Sequence, residues 1–152
     1  EKLLPGRCTT CLYFSTDQPV PKESILHLDG DGRGPVNNAC IISNAAPAYA
    51  PPGQHLISTS IIGAPSSNEL EDVVREQMTH WFGPTARQWK HLRTYQIRNA
   101  QPESRQLRLG EESLSSVLAP GLYRCGDYVE DVSINGALLS GRRAAEALIS
   151  SL

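Results

Sequence analysis

Leu70, Val73, Val74, Met78 and Trp81 lie at i, i+3, i+4, i+8 and i+11, which is the spacing of one helix face, and Gln77 at i+7 is the single polar residue in that stripe. Ser66-x-x-Glu69 ahead of them fits a capping box and Gly83-Pro84 behind them stops a helix, so the spacing predicts a helix over 69–82. The flanking chain keeps a different period. Cys8 to Ser15 is rich in β-branched and aromatic residues and reads as a strand. Ser24 to Leu28 and Val36 to Ser43 flank Asp29-Gly30-Asp31-Gly32-Arg33-Gly34, a run tolerant of positive φ, and read as a hairpin. Asn44 to Gly53 holds three prolines and reads as an extended, polyproline-like loop. His55 to Ile62 reads as a strand buried on both faces, and Trp89 to Ile97 as another strand.

The last third combines a short strand with a second helix. Gly121 to Cys125 reads as the strand, Gly126-Asp127 ends it, and Tyr128 to Val132 forms a loop. Ser133 caps a helix running to about Ser150, with Ala137, Leu138, Gly141, Ala144, Ala145, Leu148 and Ile149 on its small and apolar face. Between the halves, Arg98 to Leu118 is polar and weakly periodic and reads as loop with a short helix. The fold class that results is α+β, with a mostly antiparallel sheet and one amphipathic helix against it.

A chain of 152 residues can bury one core with a small appendage. Beginning at Glu1 without methionine, it reads as processed or cut from something longer. Its 14 basic and 16 acidic residues nearly cancel, and Lys and Arg form no run, which argues against a nucleic-acid footprint or a polybasic membrane anchor. Apolar stretches such as Ile57 to Ile62 fall far short of the roughly 20 residues that cross a bilayer. Neither a secretory signal nor an Asn-x-Ser/Thr acceptor is visible. Cys8, Cys11, Cys40 and Cys125 each sit in an apolar stretch, as buried free thiols of a reducing compartment would. Cys8-x-x-Cys11 has no second pair at ligand spacing, and His27, His55, His80 and His91 are scattered over three strands and a helix, so no metal site is expected. Gly30-x-Gly32-x-Gly34 has Pro35 where a dinucleotide loop needs its third glycine and leads into a strand rather than a helix. No Gly-x-Ser-x-Gly elbow occurs.

Gly126 lets a ligand approach the backbone, and Asp127 offers a carboxylate that accepts hydrogen bonds from hydroxyls. The helix after Ser133 begins with small residues, and its first-turn N–H groups suit an electron-rich oxygen. The residues alone leave two readings open, a ligand-holding segment and an ordinary capped strand–loop–helix.

Gly126-Asp127 through Ala145, with its SINGALLSGRRAAEA helix, resembles the C-terminal flavin-binding motif of the FAD-dependent amine oxidase and phytoene desaturase superfamily. The resemblance implies that Asp127 lies at the ribityl–pyrophosphate region of FAD. It implies that Ser133, Ile134, Asn135, Gly136 and Ala137 present a helix N-terminus to the flavin ring, and that Gly141 allows close helix packing. It further implies two parts. Residues 1–118 belong to a substrate-binding domain, and 119–152 supply the final strand and helix of a Rossmann-like FAD-binding domain. The family's N-terminal Gly-rich turn has no counterpart, so the rest of that domain is an expected partner in a longer parent, and the fragment alone should be inactive. Thr10 stands where many amine oxidases carry a flavin-facing lysine, and Ser133 where an aromatic-cage tyrosine often sits, which leaves a desaturase-like or other hydride-abstracting enzyme open. The expected activity is oxidation of a small organic substrate by hydride transfer to flavin, with catalytic residues unassigned, in a bacterial cytoplasm or a plastid. The rival is a free-standing α+β binding or interaction module.

Overall fold

The structure, a computed structural model, describes residues 6–102 and 114–151. They form two compact units, one of Cys8–Arg98 and one of the described residues 6–7, 99–102 and 114–151.

β1 (Gly6–Thr16), which lies in the first unit from Cys8 on, buries Thr10, Leu12, Phe14 and Thr16 and leaves Cys11, Tyr13 and Ser15 half-buried, the two-residue alternation of a sheet covered on one face. β2 (Leu26–Leu28) and β3 (Val36–Ile41) pair antiparallel, with Leu26 opposite Cys40. Their connection turns where the Asp29 carboxylate accepts the N–H groups of Asp31 and Gly32, both at 3.1 Å. β4 (His55–Ile62) pairs antiparallel with both β1 and β3, and β5 (Lys90–Pro102) borders β1, giving the order β2-β3-β4-β1-β5. The register places buried residues opposite buried residues. Thr10 faces Ile61, Leu12 faces Thr59 and Phe14 faces Ile57, while Ala39 and Ile41 of β3 face Thr59 and Ile57. A slip of one residue would turn all of them to solvent, which fixes the pairing.

Three segments differ from the expectation. β4 is not buried on both faces: Ile57, Thr59 and Ile61 are buried, whereas Leu56, Ser58 and Ser60 are half-buried and Ile62 is exposed. The two serines interrupt the continuous apolar run that a doubly covered strand needs. The segment 44–53 is not extended throughout, because β3 stops at Ile41 and a short helix, α1 (Ile42–Ala45), precedes a 3-10 turn at Pro47–Tyr49. Pro47 opens that turn, where its missing N–H costs nothing, and Asn44 Nδ2 donates to the Pro21 carbonyl at 2.7 Å. The Ser66–Glu69 capping box does not form; Ser67 Oγ accepts the Glu69 N–H at 3.1 Å, a turn that starts the helix at Leu70.

That helix, α2 (Leu70–Phe82), ends at Gly83, whose φ of +89° is the region glycine favours. It buries Val74 and Met78 against Leu12, Phe14, Val36, Ala39, Ile41, Ile57 and Ile61, and Trp89 closes the cluster beside Phe14 and Phe82. Each fully buried large side chain contributes on the order of 1.5–3 kcal/mol. Gln77 is buried within the apolar stripe. Its Oε1 accepts the Val36 N–H at 2.8 Å and its Nε2 donates to the Val36 carbonyl at 3.0 Å, so one side chain satisfies both main-chain groups of a residue beyond the reach of β2.

In the second unit, β6 (Val117–Ala119) and β7 (Leu122–Tyr123) form a two-stranded antiparallel sheet around Gly121, φ +74°. Of the polar stretch Arg98 to Leu118, residues 98–102 lie in β5 and 117–118 in β6; the short helix expected there would fall on 103–113, outside the described residues. The loop expected at Tyr128 to Val132 is in part a 3-10 turn, Asp127–Val129, because Gly126 at φ +149° lets the Val129 N–H reach the Gly126 carbonyl at 3.1 Å. Then comes α3 (Ile134–Ile149), capped as predicted by Ser133, whose Oγ accepts the Gly136 N–H at 3.0 Å. The fold is α+β with a mostly antiparallel five-stranded sheet. Among the described residues no helix is long and apolar enough to cross a membrane.

Candidate functional site

The segment from Gly126 to Ser140 is a strand exit, one 3-10 turn and a helix start. Arg124 N–H donates to the Ser116 carbonyl at 2.8 Å and its Nε to the Ser115 carbonyl at 2.8 Å, which brings the chain out of β7 in a fixed direction. Gly126 is then held on both sides: its N–H donates to Ser140 Oγ at 2.8 Å and its carbonyl accepts from Val129. The next residue, Asp127, is half-buried, and its carboxylate makes no hydrogen bond or ion pair among the described residues. Val129 is fully buried, and Glu130, 8% exposed, is ion-paired with Arg143 of α3. These contacts seat the turn on the helix.

Gly136 decides how closely the turn approaches. A Cβ there would lie 1.8 Å from the Asp131 carbonyl oxygen, so only glycine permits the loop to fold over the first turn of α3. Within that turn the Gly136 N–H goes to Ser133 Oγ and the Ala137 N–H to the Ser133 carbonyl at 3.0 Å. Among the described residues the N–H groups of Ile134 and Asn135 have no partner, and both residues are exposed. Of the five residues expected to present the helix start, Ser133 therefore caps, Gly136 and Ala137 spend their N–H groups inside the turn, and Ile134 and Asn135 hold the free donors. Those two carry the positive end of the helix dipole.

Ser140 was not singled out in the sequence. It is fully buried in α3, accepts from Gly126 and donates to the Ala137 carbonyl at 2.8 Å. The signal available was a hydroxyl seven residues after the cap, among small residues. On the solvent side of the same helix, the hydrogen bond from Arg142 to Glu146 at 2.7 Å, followed by the attraction of the two charges, raises the arginine's already high pKa. Gly141 has nothing within 4 Å of a Cβ position, so among the described residues no close helix contact uses it. Gly141→Ala is expected to stabilise α3 by about 0.5–1 kcal/mol in this chain through helix propensity, read as slower amide exchange along the helix.

The four cysteines are free; Cys125 is exposed rather than buried, because it follows the short β7 instead of lying within a long strand, and Cys8, Cys11 and Cys40 are half-buried. Among the described residues no group of three His, Cys, Asp or Glu side chains could hold a metal ion. In the first unit, a cleft of about 630 Å³ opens beside Asp17, Tyr49, His55, Lys90 and Leu92.

The segment thus carries an unpaired carboxylate at Asp127 and two unspent N–H donors at Ile134 and Asn135. The chain belongs to the flavin-containing amine oxidoreductase family, whose sequence pattern matches residues 3–149. Among curated protein sequences there is no significant match. Among solved structures, the chain is similar to an oxidoreductase from Methanosarcina mazei, with a TM-score of 0.68 and 20% identity over 94% of this chain and 35% of that one. It is also similar to reduced UDP-galactopyranose mutase, with a TM-score of 0.54 and 15% identity over 65% of this chain and 23% of that one. At these identities the likeness is one of fold, and the chain spans about a third of the length of the first.

Proposed function

We propose that the chain supplies the C-terminal flavin-contacting segment and part of the substrate-binding domain of an FAD-dependent oxidoreductase that oxidises a small organic substrate by hydride transfer. The observation that carries this reading is the pairing of the partnerless Asp127 carboxylate with the free Ile134 and Asn135 N–H groups, in a chain of a flavin-containing family. These residues fit the group. Asp127 suits the hydroxyls of a ribityl chain, and two N–H groups at a helix N-terminus suit a carbonyl oxygen on which charge accumulates. When bound, the flavin supplies the redox chemistry, and the protein supplies position and electrostatics. Gly126 makes room for the Tyr128 ring, which a Cβ there would meet at 2.4 Å, and Ser133 caps the helix start.

In this reading 119–152 are the last strand and helix of a Rossmann-like FAD-binding domain, and 1–118 belong to the substrate-binding domain. Leu138, 70% exposed, and Ile149, 69% exposed, lie on an α3 face suited to the remainder of that domain. Titrating FAD into the 152-residue chain should accordingly show no micromolar binding, and micromolar binding would mean that the domain boundary is misplaced.

The function is tested on the full-length product of the gene. Asp127→Ala should cost about 1.5–3 kcal/mol of flavin affinity, about tenfold or more, through the lost bonds to a charged acceptor. An unchanged flavin content with a folded variant would remove Asp127 from the site.

A further inference from the structure

The geometry points to Ser140 as the residue that positions the candidate flavin segment, an inference that rests on the flavin reading above. The two halves of that segment, the Asp127 carboxylate and the Ile134–Asn135 donors, lie on different elements. Their spacing must be held if one ligand is to meet both. Ser140 ties the elements together at the Asp127 end. Its Oγ takes the Gly126 N–H at 2.8 Å, one residue before Asp127, and gives its own proton to the Ala137 carbonyl at 2.8 Å, one turn into α3. The residue is fully buried and its hydroxyl donates its proton and accepts one within the protein, so it is not a ligand contact.

The bond acts where the backbone has least support of its own. Gly126 sits at φ +149° with no secondary-structure ladder on either side, between β7, which ends at Tyr123, and the 3-10 turn that starts at Asp127. Glu130–Arg143 and the Asp131–Gly136 contact pin the far end of the turn to the helix. Ser140 pins the near end. Without it, Gly126 and Asp127 pivot about a glycine that accepts many conformations, and a part-buried N–H loses its partner.

Ser140→Ala and Ser140→Cys separate this role from simple packing. In the 152-residue chain, Ser140→Ala should speed amide exchange at Gly126 about tenfold while leaving the Glu146 and Ser150 amides of α3 unchanged, and cysteine, a weak acceptor of similar size, should restore part of the protection. In the full-length product, Ser140→Ala should weaken FAD binding about tenfold with partial rescue by cysteine. Unchanged exchange at Gly126, or a uniform loss of protection along α3, would overturn the clamp. Faster exchange at Gly126 with unaltered FAD affinity would overturn the positioning role. Those failures leave a wild type that binds flavin, whereas a wild type that takes up none removes the flavin reading itself and the role of Ser140 with it.

Discussion

Gly136→Ala is expected to detach the loop before α3 from the helix start and to cost about 3 kcal/mol, with loss of the Ser133 cap adding about 1 kcal/mol. The reason is geometric. The added methyl would lie 1.8 Å from the Asp131 carbonyl oxygen and 2.7 Å from its carbon, and both are backbone atoms that cannot swing aside as a side chain can. The contrast is Gly126, where a Cβ would meet the ring of Tyr128 at 2.4 Å, the far end of a rotatable group. The Asp131 carbonyl also accepts the Ser133 N–H at 2.7 Å, so displacing it moves the capping residue as well. Amide exchange reports the result. Protection should fall through the first turns of α3 and stay unaltered in α2, because the two helices belong to different units. Wild-type protection in the variant would show that the loop does not fold over the helix as described.

The second large effect falls in the other unit. Gln77→Leu keeps the bulk of the side chain and removes its amide, leaving the Val36 N–H and carbonyl buried without the partners they have at 2.8 and 3.0 Å. Each unsatisfied group costs about 1–3 kcal/mol, partly offset by the added apolar burial, so a net loss of about 3 kcal/mol is expected. Trp81 and Trp89 both lie in Cys8–Arg98, so tryptophan fluorescence during urea unfolding reads this unit alone. A stability within about 0.5 kcal/mol of the parent would mean that water replaces the amide.

These two positions also show what the sequence could and could not disclose. The stripe of Leu70, Val74, Met78 and Trp81 is a repeating signal, and repetition is what local reading detects, so α2 and the strands of its sheet were legible. Gln77 was visible as a break in the stripe. Its purpose was not, because its partner Val36 is 41 residues away and only tertiary pairing reveals that β2 stops short of it. The Ser66–Glu69 box failed for the opposite reason: the pattern was present, but Ser67 competed for the same N–H and won by proximity. At the C-terminal segment the cap at Ser133 and the strand–turn–helix order were readable from local chemistry. Which N–H groups remain free was not, since it depends on how Ser133 uses both its hydroxyl and its carbonyl. The role of Ser140, and the reason position 136 must be glycine, were not readable, because a buried serine bond and a 1.8 Å approach belong to packing between elements rather than to the pattern of either one.

The flavin content of the full-length gene product decides whether Asp127 and the start of α3 hold FAD. Purified without added cofactor and measured against its protein concentration, it should show flavin absorbance near one FAD per chain, and Asp127→Ala should release a large part of it while remaining folded. A full-length protein that is colourless and does not take up added FAD would mean that this segment holds no flavin.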